Sequence, residues 1–297
     1  MSKRDYVSRM VRAVGTSVRR PPFVPDGHFY SPIPSPHDVE RAIQRPMPAS
    51  IPGVDLREDA QRGLWDDLVA VLPELPGPDD ATWRYRSGNG MFGGPDATLY
   101  AGMLREFAPR RIVEVGSGYT TALALDIADR YGLDIEFTCI EPYPERLHSL
   151  LRPGDASRLT LVERPVQDVP NAIFDELGPG DLLFIDSTHV SKAGSDVNRL
   201  FLEVVPSLGL GVDLHVHDIF WPFEYPADWL RDGRALGELY LLQAFLAFNS
   251  RWQIQLFGSW LWHNYPSARA RLEASQATLA GHRGQPGSIW LRQATTV

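Results

Sequence analysis

The stretch Arg111-Ile112-Val113-Glu114-Val115-Gly116-Ser117-Gly118-Tyr119-Thr120-Thr121 reads as a buried strand, a glycine turn and a helix that starts on threonines. The glycines let the backbone approach a ligand closely, and the start of the helix presents free N–H groups. Short apolar runs recur downstream at residues 135–140, 159–162, 182–185 and 212–216, with helical segments at 121–131, 144–151 and 196–205 between them. Continuous apolar strands alternating with helices mean a parallel sheet covered on both faces, an α/β fold. Ligands of such sheets bind at the carboxyl ends of the strands, near the point where strand order reverses.

Glu141 follows Gly118 by 23 residues, at the end of the next strand. A carboxylate there can accept from both hydroxyls of a ribose. Turn, helix and spaced acid together point to a nucleoside, which leaves NAD and S-adenosylmethionine. Glu114, two residues before the first glycine, disfavours a pyrophosphate and suits a ligand with a cationic amino-acid tail. A rival match, Gly88-Asn89-Gly90-Met91-Phe92-Gly93, fits G-x-G-x-x-G literally but follows a short charged run instead of a buried strand. It reads either as a turn over the ligand site or as a plain loop.

At this point the segments VEVGSGYTT (113–121), CIEP (139–142), GDLLFIDSTHV (180–190) and HVHDIF (215–220) resemble class I S-adenosylmethionine-dependent methyltransferases, in particular the bacterial methyltransferase-24-like group. NGMF (89–92), PDA (95–97) and FWPFEYPADW (220–229) are similar to that group's segments as well, and the resemblance spans residues 51–257. It implies a Rossmann-like seven-stranded sheet of order 3-2-1-4-5-7-6 with strand 7 antiparallel. It also implies that Glu114, Gly116, Ser117 and Gly118 line the methionine and ribose portion of S-adenosylmethionine. Glu141 would hold the ribose, and the stretch 166–168, with Asp168, would lie near adenine. Asp186 would end the fourth strand beside the methyl-transfer centre.

In that sheet the ends of strands four and five are neighbours, so Asp186, His217 and Asp218 converge as oxygen and imidazole ligands for a divalent ion. His217 stands where relatives carry an acid, which puts magnesium in doubt and leaves manganese, iron or zinc. Two other readings stay open: His189 or His217 as general base, and both histidines as hydrogen-bonded core residues. Just past strand five, Phe220, Trp221, Phe223, Tyr225 and Trp229 read as a wall for the acceptor if exposed and as core if packed.

The rest of the chain bounds this reading. It has 297 residues with a single cysteine, Cys139, which excludes an intramolecular disulfide and a Cys-Cys zinc site. The net charge of -8 argues against nonspecific nucleic-acid binding. Residues 1–20 dissent, with Lys3, Arg4, Arg9, Arg12, Arg19 and Arg20 against Asp5 alone. With no apolar span and no signal-like start, the expectation is a soluble cytoplasmic protein. Three parts are expected: residues 1–53, a basic then proline-rich arm whose aromatics at 28–30 dock on the body; 54–110, a helical cap; and 111–297, the methyltransferase domain. The expected activity is methyl transfer to a small or medium-sized acceptor, most often at oxygen, with homo-oligomerisation through the arm left open. The rivals are a metal-dependent reaction without net methyl transfer and a non-catalytic cofactor-binding scaffold.

Overall fold

The computed structural model describes residues 22–77, 79–278 and 284–294. The basic segment 1–20 lies outside them. The five apolar runs form strands β1 (Arg111–Val115), β2 (Glu136–Ile140), β3 (Leu159–Val162), β4 (Leu182–Ile185) and β5 (Asp213–His217), joined by β6 (Trp252–Phe257) and β7 (Ser288–Gln293). Their order is β3-β2-β1-β4-β5-β7-β6, with β1 to β5 mutually parallel and β7 antiparallel to both neighbours, as the resemblance implied. Every residue of β4 and β5 is buried, as a central parallel strand covered on both faces requires.

Register aligns the strand ends. Val115 lies opposite both Ile140 and Ile185, and Ile185 lies opposite Val216. The residues that follow, Gly116, Glu141, Asp186 and His217, therefore emerge side by side. The order reverses between β1 and β4, so these residues flank the switch point.

The helix Glu58–Val71 buries Trp65 and Leu68 and ends at Leu72, before Pro73. Buried Gln61 ties it to the sheet, its Oε1 accepting from Phe257 N at 2.7 Å. The helix Gly94–Phe107 has Pro95 in its first turn, where the missing N–H costs nothing. The segment 196–205, expected as one helix, is α-helical over Asp196–Arg199, passes through a wide π-type stretch Leu200–Val204 and resumes at Val205–Ser207. Among the described residues no helix is long and apolar enough to cross a membrane.

Two compact units emerge. One contains the described residues up to Met47 together with Tyr225–Ala235; the other contains Pro48–Glu224 and the chain from Leu236 onward. Residues 54–110 thus share a unit with the sheet. In the smaller unit the proline-rich stretch contains a helix, Pro36–Ile43, that the expectation of a proline-rich arm did not include. Ser35 and Asp38 cap it reciprocally, and Glu40 meets Arg231 at 3.1 Å. In the same unit Phe29 and Tyr30 are exposed, the Phe29 ring stacked on His28 at 4.1 Å and tilted against Tyr30 at 4.4 Å.

The aromatic segment after β5 also departs from the wall reading. Phe220, Trp221 and Phe223 are buried. The rings of Trp221 and Phe223 lie 6.2 and 5.2 Å from Phe257, and Phe220 fills the space beside Gly287. Tyr225 and Trp229 stack together in the smaller unit. Four of the five rings, Tyr225 among them, are buried. Trp221→Ala should therefore cost about 3 to 5 kcal/mol and lower the melting temperature by on the order of 10 °C. A melting curve within two or three degrees of wild type would return Trp221 to the wall.

Candidate functional site

The site grows from one close approach. Gly116 has φ +88, and a Cβ placed there would lie 1.8 Å from the carbonyl oxygen of Asp186. Only glycine lets the β1 turn pass the end of β4 at this distance. Gly116 N donates to Ile140 O and Asp186 N to Val115 O, so the turn is pinned from both sides. Ser117 is buried, and its hydroxyl has no partner among the described residues.

Below the turn Glu114 is wholly buried, and its carboxylate accepts from the hydroxyls of Thr120 and, at 2.7 Å, Thr121. Thr121 Oγ1 in turn accepts from Gly118 N at 3.2 Å. Glu114 thus supports the turn and the start of helix Tyr119–Tyr131 from beneath. Burial pushes its pKa up to about 7, against the two threonine hydrogen bonds that lower it. At the end of β2, Glu141 is buried and accepts from Tyr143 N at 2.8 Å, with burial again raising its pKa. Asp168 closes the short turn Val166–Asp168 after β3 and is exposed.

Asp186, His189, His217 and Asp218 do converge. Ligand atoms of Asp186, His217 and Asp218 all lie within 4.8 Å of one another. The His189 ring reaches the same place, its Nε2 3.3 Å from Asp186 Oδ1 and 3.4 Å from Asp218 Oδ2, and its Nδ1 is 2.7 Å from Glu238 Oε2. Burial would lower the His189 pKa, but Asp186, Glu238 and Asp218 outweigh it and hold it well above the ordinary value. Burial likewise opposes ionisation of Asp186, yet His217 and His189 bring its pKa down to about 2. His217, buried, is raised by Asp186, Asp218 and Asp96 against its own desolvation. His189 and Asp218 both have left-handed backbones, φ +61 and +57, the kind of strain that clusters at functional sites.

Two acids here escaped the sequence reading. Glu238 opens the helix Glu238–Leu246, 49 residues after His189, and carries no motif. Asp96, within the quoted PDA segment, accepts from Gly287 N with both oxygens and acts on His217 electrostatically. The literal G-x-G-x-x-G is a loop folded by Asn89, whose Oδ1 accepts from Met91 N and Phe92 N. It reaches the edge of the site all the same, with the Phe92 ring 5.0 Å from His217.

Glu114 gives a pH test of this geometry. Its folded pKa stands above the ordinary 4.5, so between pH 4.5 and about 7 the folded chain holds a proton that the unfolded chain has lost. Stability from this group is then full below pH 4.5, falls through that window and levels above it. Relative to Glu114→Gln, the wild type should lose on the order of 3 kcal/mol between pH 4 and pH 8. Parallel pH profiles from denaturant unfolding would contradict the assignment.

Against known proteins, the methyltransferase-24 family model, described as a methyltransferase domain, matches residues 113–219. An uncharacterized protein of Archaeoglobus fulgidus is 34% identical over 166 residues, covering 52% of this chain and 73% of its own. Among solved structures, the SAH-bound methyltransferase PaMTH1 of Podospora anserina is 17% identical at a TM-score of 0.42, covering 79% of this chain and 88% of its own. The Mg-SAM form of cmcI is 17% identical at 0.41, covering 68% and 72%. With the family model seated on β1 through the end of β5, the chain carries a methyltransferase domain of the methyltransferase-24 family over residues 113–219.

Proposed function

We propose that this chain transfers the methyl group of S-adenosylmethionine to the oxygen of a small or medium-sized acceptor at the carboxyl ends of β1, β2, β4 and β5. The observation that carries the reading is the alignment of Gly116, Glu141 and Asp186 at the switch point, with the buried Ser117 hydroxyl beside them unpartnered among the described residues. An orphaned hydroxyl and a glycine cradle are what a tightly held polar ligand would complete. In this reading Gly116, Ser117 and Gly118 face the amino-acid and ribose portion, Glu141 accepts from the ribose hydroxyls, and Asp168 stands on the adenine side. Glu114 acts one step removed, by fixing the turn through Thr120 and Thr121.

The bound cofactor supplies an electrophilic methyl; the chain supplies alignment and a place for a proton. His189 does not suit the role of base. Both its nitrogens face carboxylates, and its raised pKa keeps it protonated at neutral pH. Asp186 is ionised and partly exposed, so it can accept a hydrogen bond from an acceptor hydroxyl. Its low basicity is no obstacle, because the oxygen gains positive charge as the methyl arrives and its proton becomes strongly acidic. His217 and Asp218 hold that carboxylate within a charged, enclosed neighbourhood.

A divalent ion is a second reading, favoured by the Asp186, His217 and Asp218 cluster. The residues fit one: two carboxylates and an imidazole suit manganese, iron or zinc better than magnesium, which takes oxygen donors. In that case the three side chains would hold the ion and it would polarise the acceptor oxygen.

Calorimetry should find S-adenosylhomocysteine binding that Glu141→Ala weakens by about 10- to 150-fold, the loss of a charge-assisted hydrogen bond of about 1.5 to 3 kcal/mol. Equal affinities would remove Glu141 from the site, and NADH binding in place of S-adenosylhomocysteine would end the reading. Titration with Mn²⁺ should show saturable binding that Asp218→Asn abolishes; full methyl transfer after exhaustive chelation would leave the Asp186 route alone.

A further inference from the structure

Glu238 is an expensive residue to bury. Its side chain is wholly enclosed, one oxygen meets His189 Nδ1 at 2.7 Å, and the other has no partner among the described residues. A carboxylate half unsatisfied in the interior is a poor device for stability, since desolvation opposes what the single contact returns. Its placement is nevertheless over-determined. Gly237 N and Glu238 N both donate to the carbonyl of His189, at 2.9 and 3.2 Å, so backbone and side chain of one residue grip backbone and side chain of the other. Gly237 allows that approach, because a Cβ there would come within 3.3 Å of Ser191 Cβ.

The grip selects one ring orientation. An imidazole can flip about its Cβ–Cγ bond, exchanging Nδ1 with a carbon and Nε2 with a carbon. Only the orientation that offers Nδ1 to Glu238 presents Nε2 to Asp186 and Asp218, at 3.3 and 3.4 Å. Resting on the methyl-transfer reading for its purpose, we propose that Glu238 is a positioning residue: it locks the His189 ring so that Nε2 bridges the two carboxylates ending β4 and β5, where the acceptor is aligned. The group that sets the acceptor site thus includes a residue from the helix after β5, far from any cofactor motif.

Long-range proton–nitrogen NMR of the imidazoles tests this without an acceptor, the His189 signals being those that vanish in His189→Gln. In otherwise wild-type protein, Asp186→Asn should move the His189 Nε2 resonance. In a Glu238→Leu background, with the ring released, the same change should move it by less than about half as much. Glu238→Gln, which keeps an acceptor for Nδ1, should restore most of the response. An undiminished response in folded Glu238→Leu would overturn the proposal. If that variant does not fold, Glu238→Gln alone decides: its His189 Nδ1–H resonance should move upfield as a neutral acceptor replaces a charged one, and an unmoved resonance overturns the lock. S-adenosylhomocysteine titration of the wild type runs alongside. Its failure to bind would sink the methyl-transfer reading, while the NMR response would still decide the lock.

Discussion

Everything at the site depends on how closely the turn after β1 passes the end of β4. With the Asp186 carbonyl 1.8 Å from where a Gly116 Cβ would be, no side chain fits, and the two strands can end at the same level. That contact sets the glycine turn and Glu141 on one side of the Asp186, His217 and Asp218 cluster. The register carries it outward in both directions, to Glu141 through β2 and to His217 through β5. Glu114 completes the constraint from below: one buried carboxylate satisfies two threonine hydroxyls at the start of the helix that follows, so turn and helix cannot shift independently.

The chain surrounds a buried cation with acids in two places, to different ends. Arg84 is nearly enclosed and meets Asp126, Asp129 and Asp155, the last through two parallel hydrogen bonds of 2.7 and 2.6 Å. Asp126 also accepts from the backbone of Arg84 and Tyr85, so this cluster fixes the course of the chain leading to the Phe92 loop. A guanidinium stays charged at any ordinary pH, and its planar fork suits a permanent fastening. His189 sits among Asp186, Asp218 and Glu238, but there the backbone is strained, one carboxylate oxygen has no partner among the described residues, and two of the acids are partly exposed. Incomplete satisfaction distinguishes a site from a fastening.

What the sequence made legible was whatever depended on near neighbours in the chain. The strands announced themselves as apolar runs, the turn through its glycines, and Glu141 through its distance from that turn. Even the overlooked helix Pro36–Ile43 had a local signal, since Ser35-Pro36-His37-Asp38 is a capping pattern with proline in the first turn. Proline density around it obscured the reading. Glu238 is different in kind: nothing in its own segment marks it, and its role comes from packing against a residue 49 positions earlier. The aromatics after β5 misled for a related reason. Position near a strand end suggested a wall, but Phe257 and Gly287, which receive three of those rings, are brought there by β6 and the approach to β7.

The motif His215-Val216-His217-Asp218 shows how far environment divides identical side chains. Residues two apart on a strand face the same side, and the two imidazoles lie 6.0 Å apart and nearly parallel. His215, one step deeper, stacks on Phe184 at 4.1 Å and meets Trp290 at 4.7 Å, and neither of its nitrogens has a hydrogen-bond partner among the described residues. Burial, then the neighbouring His217, drives its pKa well below the ordinary value, so it behaves as a neutral aromatic ring. His217, one step nearer the strand end, meets Asp186, Asp218 and Asp96, and its pKa is raised. The deeper histidine is therefore a packed ring of the core, and the outer one faces the carboxylates at the strand end. The carboxylates on its outer side favour a proton on His217 against its burial, and the neutral ring behind it adds no second charge to the core.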